Sequence, residues 1–355
     1  FAGVAALRRG HQAVTEMVTG LDLVKLELDL AAGGHLGGEP PCAIGHAVST
    51  VLFAESGAGS GHVELLRPPT GPFIRVETAL GEGDVPEPSG AIADIAAWGR
   101  DRPEALARLR RALRETMVVL GGGTTNQGYL LELLGRPELR SGAAATGWLD
   151  RLHVDGGLVA TRDADVALLQ AALEVAEAET AIDRARFAAF ARRGRPQADA
   201  PIARIVDLLL NNLPYRFAVS QVGPSRHRVT VDTVAVEIDV ERRGAHERRL
   251  AIGGRSYRAL TTVDGAALLV EVDGVSHRIA RDDGGVIRNA APAVVVRVPV
   301  AVGDEVRKGD VVAVVESMKM ESSYVAPFDG RVRRVYTGPN VQAGPRAPPL
   351  QLQPP

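Results

Sequence analysis

The chain has 355 residues, a formal net charge of −2 and a single cysteine, Cys42. That length allows two or three domains, the charge offers no argument for nucleic acid or an anionic membrane, and one cysteine excludes an intramolecular disulfide or a cysteine metal cluster. No apolar run approaches the roughly 18–20 residues of a membrane span, so a cytoplasmic protein with no nucleic-acid or membrane partner is expected. Aromatic residues make up only 4%, which leaves Val, Leu, Ile and Ala to build the cores. The start, Phe1-Ala2-Gly3-Val4, lacks Met and any signal-peptide pattern and reads as entry into the middle of a domain.

Thr19 or Asp22 is placed to cap a helix running to about Ala32, ended by Gly33-Gly34. Gly45 to Glu55 reads as a strand, and Glu64 to Ala79 as another, broken at Pro68-Pro69. Pro103 to Thr116 has the pattern of an amphipathic helix, with Leu106, Leu109 and Leu113 on one face and arginines on the other. Val118-Val119-Leu120 leads to Gly121-Gly122-Gly123-Thr124-Thr125-Asn126 and a second helix through Tyr129, Leu130, Leu133 and Leu134. The glycine triplet lacks the Gly-Lys-Ser/Thr ending of a phosphate loop and reads as a turn. His11, His35, His46 and His62 have no metal-ligand spacing, so no metal site is expected.

Residues 163–193 are alanine-rich and strongly helical, with apolar residues at three- and four-residue steps from Leu168 to Phe190. Pro201 to Leu213 reads as a shorter apolar helix whose Leu208-Leu209-Leu210 belongs to a core. From Tyr215 to Ile287 the period changes to two, in short strands separated by turns such as Gly253-Gly254, Asp264-Gly265 and Asp273-Gly274. Such spacing predicts an antiparallel barrel or sandwich, with the preceding helices closing its open side.

From Asn289 the chain repeats. Pro292, Val300, Gly303, Val306 and Gly309 recur 35 positions later as Pro327, Val335, Gly338, Val341 and Gly344. Two copies that cannot bury their apolar sides alone are expected to pack as a flattened β-sandwich. Lys319, one of three lysines with Lys25 and Lys308, lies between the copies in Glu316-Ser317-Met318-Lys319-Met320-Glu321. An exposed lysine in a hairpin needs no special role. A lysine amine can nevertheless lose its proton and be acylated, which arginine cannot, and a hairpin tip is open to a modifying enzyme.

The motif and repeat together resemble the biotinyl, or biotin carboxyl carrier, domain, with its Ala/Ser-Met-Lys-Met signature. The resemblance implies biotin in amide linkage to Lys319, with Met318 and Met320 read by a biotin protein ligase. The lipoyl domain shares the fold and a lysine at the same turn, but usually has Asp before that lysine and Ala after it. The order of helices, strand-rich barrel and biotinyl domain resembles the α subunit of acyl-CoA carboxylases of the propionyl-, methylcrotonyl- and geranyl-CoA type, with the barrel as a subunit-docking domain. The first 150 residues resemble the last part of a biotin carboxylase domain, through Val14-Thr15-Glu16-Met17-Val18-Thr19-Gly20-Leu21-Asp22-Leu23-Val24, Gly45-His46-Ala47-Val48, Arg67-Pro68-Pro69, Glu82-Gly83-Asp84, the helix from Ala105 to Leu113, and Thr125-Asn126.

The working positions of that family differ here. Aligned without gaps, its metal-binding Glu and Asn fall on Gly3 and Ala5, its Arg on Leu7, its Gln on Arg9 and its catalytic Glu on His11. Its Glu-x-Arg after Gly-His-Ala becomes Ser49-Thr50-Val51, and its Tyr-Asp-x-Met-Ile-x-Lys becomes Pro88 to Asp94. The expected architecture is α+β multidomain. Residues 1–152 form a degenerate carboxylase-like lobe, 153–213 a helical linker and helices, 214–288 an antiparallel β-barrel for docking, and 289–355 a two-fold biotinyl sandwich. The resemblance implies a biotin-bearing component of an acyl-CoA carboxylase with no catalytic residue of its own. ATP and Mg would act only in a partner or missing carboxylase site. The implied partners are a carboxyltransferase β subunit, a biotin protein ligase, a separate active biotin carboxylase subunit and the acyl-CoA substrate of the complex. An ordinary, active biotin carboxylase α subunit seen in part, or a carrier and scaffold subunit, are the alternatives.

Overall fold

The computed structural model describes residues 12–353 except 56–60, 88–89, 155–160, 192–202, 212, 265–266, 282–285, 288–292, 318–319, 327, 339–340 and 344–348. Helix α1 (Ala13–Thr19) stops at Gly20, whose φ of 71° is the left-handed conformation that glycine adopts without a Cβ penalty. Helix α2 (Leu23–Ala31) starts at Asp22, whose carboxylate accepts the Lys25 N–H. Of the two capping candidates in the sequence, Asp22 is thus the cap of the predicted helix, and α1 before it is a further short helix.

Strands β1 (His46–Glu55), β2 (Val63–Arg67), β3 (Ile74–Glu77) and β4 (Ala91–Gly99) lead to helix α3 (Arg102–Glu115). Then come β5 (Met117–Leu120), β6 (Thr124–Thr125), α4 (Gln127–Leu133), α5 (Pro137–Ser141) and α6 (Trp148–Val154). The antiparallel sheet has the order β3-β4-β1-β6, with β2 and β5 paired beside it. Its most buried strand, β4, carries no alternating signal. Its small residues Ala93, Ala96 and Ala97 are buried with Ile92 and Ile95, and Asp94 is its one charged residue, so both faces are mostly apolar. Helix α3 lays Leu106, Leu109 and Leu113 on this sheet and is capped by Asp101, which accepts the Glu104 N–H. The glycine triplet is a turn: Gly123 donates to the Leu120 carbonyl and leads into β6.

Helix α7 (Ala164–Ala191) precedes β7 (Arg204–Leu210), β8 (Leu213–Gln221), β9 (Arg226–Val231) and β10 (Val234–Arg242). Strands β11 (Glu247–Ile252), β12 (Arg255–Asp264), β13 (Ala267–Val272) and β14 (Val275–Arg281) complete the set. They close into an antiparallel barrel in the order β10-β11-β12-β13-β14-β7-β8-β9. Two expectations change here. The helix predicted over Pro201 to Leu213 is a strand where it is described. Val206, Leu208 and Leu210 point inward while Ile205 is exposed and Asp207 pairs with Arg216, a period of two masked by the run of three leucines. The barrel therefore occupies 204–281 rather than 214–288. Helix α7 also does not close an open side. The barrel has none, and α7 lies within it. From Val166 to Ala176 nearly every residue of the helix is buried, on all sides, with Leu173 against the barrel core.

The outer face of this barrel packs on the lobe. Arg258 on β12 donates to the carbonyls of Arg114, Glu115 and Thr116 where α3 ends, the pole of a helix that favours a cation. Thr262 donates to Glu64 at 3.2 Å, and Arg67 meets Glu247 at 3.4 Å.

The remaining strands are β15 (Val286–Ile287), β16 (Ala293–Arg297), β17 (Glu305–Val306), β18 (Val311–Ser317), β19 (Met320–Val325), β20 (Gly330–Val335), β21 (Val341–Ala343) and β22 (Leu350–Gln353). They make two four-stranded sheets, β15-β22-β20-β17 and β19-β18-β16-β21. The second order is the first with each strand replaced by its counterpart from the other sequence copy, so the 35-residue repeat is a structural two-fold that exchanges the sheets. Val312, Ala313, Val332, Leu350 and Leu352 fill the space between them. Strand β15 belongs to this unit, earlier in the chain than the boundary expected at 289.

Candidate functional site

In the sandwich, β18 and β19 form an antiparallel hairpin. Val312 to Val315 are buried, which anchors β18 in the core, whereas Glu316 and Glu321 are exposed. The register sets Glu316 opposite Glu321 and Ser317 opposite Met320. Two like charges across a strand pair repel and keep this end of the hairpin in water. Met318 and Lys319 follow Ser317 in the sequence and lie outside the described residues, as does the side chain of Met320. A covalently attached biotin fits this setting: an exposed glutamate, Glu316 or Glu321, stands one residue inside the end of each strand that leads to the Met-Lys-Met segment, and behind them Val312 to Val315 are buried.

The lobe brings the altered carboxylase-like positions together. Ser49, Thr50 and Val51 lie on β1, opposite Ala96, Ile95 and Asp94 of β4. Asp94, the last residue of the second altered segment, is therefore the direct partner of Val51 in the first, and Ala93 and Ala91 face Leu52 and Phe53 just beyond it. Ser49, Thr50 and Val51 contribute hydroxyl and aliphatic groups, and Asp94 is the one carboxylate of the pair. The earlier positions, Gly3, Ala5, Leu7, Arg9 and His11, and also Pro88 and Ser89, lie outside the described residues. Among the described residues no group of three or more His, Cys, Asp or Glu could hold a metal ion.

The charged residues of the lobe have structural work instead. Glu16 accepts the Leu23 N–H at 2.8 Å and pairs with Arg75 on β3, while Arg75 also meets Glu77 at 2.6 Å. The backbone N–H and then the guanidinium hold the Glu16 carboxyl below the usual carboxylate range. This contact fixes the α1–α2 corner to the sheet. Glu16 and Arg75 are 59 residues apart, and nothing in the sequence pairs them. His46 lies beside Arg102 at 3.4 Å, which in turn donates to the Leu139 carbonyl. Asn126, in the Thr125-Asn126 match, accepts the Phe53 N–H and donates to the Val51 carbonyl.

The carboxyl groups at the heart of the barrel also missed detection by sequence. Glu174 and Glu177 of α7 both receive Arg248, which is 4% exposed. Burial raises the Glu174 carboxyl, with Arg248 opposing it. Glu271 on β13 is fully enclosed at the contact with the lobe, where burial pushes its carboxyl up to about 7.

Residues 54–151 match the family model of the biotin carboxylase C-terminal domain, and residues 282–345 that of the biotin-requiring enzyme domain. The chain is 27% identical over 373 residues to the mitochondrial methylcrotonoyl-CoA carboxylase subunit alpha of Rattus norvegicus, covering 96% of this chain and 52% of that protein. It is 32% identical over 152 residues to the same subunit of Oryza sativa subsp. japonica, covering 40% and 20%. Against the acetyl-CoA carboxylase of Schizosaccharomyces pombe it is 26% identical over 251 residues, covering 68% and 11%. The chain thus spans about half the length of the first of these relatives. It carries a biotin carboxylase C-terminal domain and a biotinyl domain, and it is homologous to the α subunits of methylcrotonoyl-CoA carboxylases.

Proposed function

We propose that this chain is the biotin-bearing component of an acyl-CoA carboxylase. Lys319 is the attachment residue, and Met318 and Met320 are its recognition neighbours for a biotin protein ligase. The observation that carries this reading is the Met-Lys-Met segment between the paired ends of β18 and β19 in a two-fold sandwich. Biotin, when bound, supplies a ring nitrogen that holds and releases a carboxyl group. The protein's part is presentation: the Lys319 side chain gives reach, the hairpin gives a fixed base, and tethering gives a high effective concentration at each site visited.

The carboxyl group would come from a biotin carboxylase site that uses ATP and Mg, and pass to a carboxyltransferase β subunit that carboxylates an acyl-CoA. The barrel is the docking part in this reading. The lobe, with hydroxyl and aliphatic groups and the one carboxylate of Asp94 at the altered β1 and β4 positions, acts as a scaffold, and the carboxylase step falls to a separate active subunit. We place the complex in the cytoplasm; no described helix is long and apolar enough to cross a membrane.

Intact-mass spectrometry after co-expression with a biotin protein ligase tests the central point. One biotinyl group is expected on the wild-type chain and none on Lys319→Arg. A lipoyl mass, or biotin retained by the arginine variant, would overturn the assignment. ATP cleavage dependent on bicarbonate, if catalysed by the purified chain alone, would overturn the scaffold role of the lobe.

A further inference from the structure

One cation at the joint of lobe and barrel has two claimants. Arg258 stands on β12, and its guanidinium donates to the carbonyls of Arg114, Glu115 and Thr116 at the end of α3. The other claimant is Glu271 on β13. Its Oε1 lies 3.9 Å from Arg258 Nη2, beyond hydrogen-bond distance, and is buried with no hydrogen-bond partner among the described residues. Arg258 Nε is likewise buried and unmet. The guanidinium is thus turned to the lobe, while one of its own donors and an acceptor on the neighbouring strand stay unused. That arrangement suits a neutral carboxyl. An ionised one adds a Coulomb attraction that no single carbonyl matches.

The surroundings leave the choice to the charge of Glu271. Its direct neighbours on β12 and β14 are Leu260 and Ser276. The Gly274 N–H donates to its carboxyl, and Asp273, a like charge acting on it, accepts the Arg258 backbone N–H at 3.1 Å. Beyond those neighbours Glu247 meets Arg67 at 3.4 Å, and Arg278 meets Asp264 at 2.6 Å. From the lobe, β5 brings no charge, α4 opens on Gln127, and the last turn of α3 carries Arg114 and Glu115, both exposed. The lobe also keeps a cap of its own, because Gln127 Nε2 donates to the carbonyls of Leu113 and Thr116. Helix α3 therefore stays closed when Arg258 leaves, and what is lost is the tie to the barrel.

We propose that Arg258 is the moving part of a proton-operated latch between lobe and barrel: with Glu271 neutral it caps α3 and holds the lobe down, and with Glu271 ionised it turns to that carboxylate and lets the lobe part from the barrel. Burial raises this carboxyl to about 7, so the latch is closed below that pH and released above it. The proposal does not involve Lys319, and its test reads neither biotin nor carboxylation. Val118 and Leu120 of β5 join the lobe core, whereas Val119 between them is buried at the joint, lining a small crevice with Leu260 and Glu271. Val119→Cys, in a chain whose exposed Cys42 is replaced by Ala, reports opening through its rate of reaction with N-ethylmaleimide. The rate is compared with that of the same chain carrying Glu271→Gln, which cancels the pH dependence of the thiol itself. The ratio is expected to be near one at about pH 6 and at least tenfold at about pH 8.5. Leu260→Cys, on the barrel side, should give the same pair of ratios, while Val229→Cys, buried on the distant strand β9, should stay near one at both. A ratio near one throughout, or one equally large at both pH values, would overturn the latch. A matching rise at Val229→Cys would mean that the whole chain loosens, which also overturns it. His246 and Glu64, 3.7 Å apart, are the other pair at this joint that a proton alters. The ratio should survive His246→Gln, and its loss there would move the switch to that pair.

Discussion

The lobe and the sandwich differ in how much of the families they match they carry. The lobe retains its frame: Asp22 and Asp101 cap their helices, Glu16 ties the α1–α2 corner to Arg75, and Asn126 bridges β1. At its altered positions on β1 and β4 it presents Ser, Thr, Val, Ala and Ile, with a single carboxylate at Asp94. In the sandwich the proposed attachment residue, Lys319, follows the end of β18 in the sequence, and the core of that strand is Val312 to Val315. A reacting constellation needs several charged groups at fixed distances, and each of them burdens folding when buried. A single attachment residue, as proposed for Lys319, carries no such burden.

The largest effect that can test this contrast is on the activity of the reconstituted complex. Lys319→Arg is expected to remove all acyl-CoA carboxylation, measured as incorporation of labelled bicarbonate. Thr50→Ala, on β1 of the lobe, is expected to leave it within about twofold, as for a surface-type change away from reacting atoms. A comparable loss in both variants would erase the distinction between the two regions.

Next in size is the joint between lobe and barrel. Arg258→Ala strips three carbonyls at the end of α3 of their donor and leaves buried Glu271 without its cation, 3.9 Å away. A loss of about 3 kcal/mol is expected. Scanning calorimetry should then show the lobe melting apart from the barrel. A single unshifted transition would mean that the joint does not couple them.

Glu271 sharpens the same joint through pH. Burial, and to a lesser degree Asp273, raise its carboxyl to about 7 against the opposing pull of Arg258. The folded state therefore holds this proton more tightly than the unfolded state. The penalty is absent below about pH 4, grows as pH rises through the interval from 4.5 to 7, and is complete above it. Glu271→Gln is expected to stabilise the chain on the order of 3 kcal/mol at pH 8 and to have little effect near pH 4. Denaturant melts at the two pH values decide it, and equal effects at both would place the proton elsewhere.

The parts that were legible in sequence share a cause. Helix α3 shows its stripe because one face is wet, and the sandwich shows its two-fold because the copies share one strand pattern. Lys319 stands out because the signature it resembles is a short contiguous motif. What was hidden depends on distant partners. Strand β7 reads as a helix until β8 and β14 supply its neighbours. Barrel closure rests on pairings such as Ile279 with Leu210, far apart in the chain. The three- and four-residue apolar steps of α7 show that it packs but not that its first half, Val166 to Ala176, is enclosed by a barrel. The Glu16–Arg75 pair and the Glu174–Glu177–Arg248 cluster likewise join segments that no local pattern connects.

The smallest predicted effect concerns how the sandwich supports its hairpin. Gly309 precedes β18 with φ of 95°, and a Cβ added there meets nothing within 4 Å. Its N–H donates to the Ala326 carbonyl, and the Ala326 N–H returns to the Asp310 carbonyl, closing the base of the β18–β19 hairpin opposite the lysine. Gly309→Ala therefore suffers backbone strain alone, about 1 kcal/mol, with no steric clash. Because the strain sits at the base and β18 is anchored by Val312 to Val315, the rate of biotin attachment at Lys319 should stay unchanged while the melting temperature falls by several degrees. If attachment slowed in proportion to the lost stability, the hairpin would be presenting its lysine only through the integrity of its base, and the independence of frame and chemistry in this domain would fail.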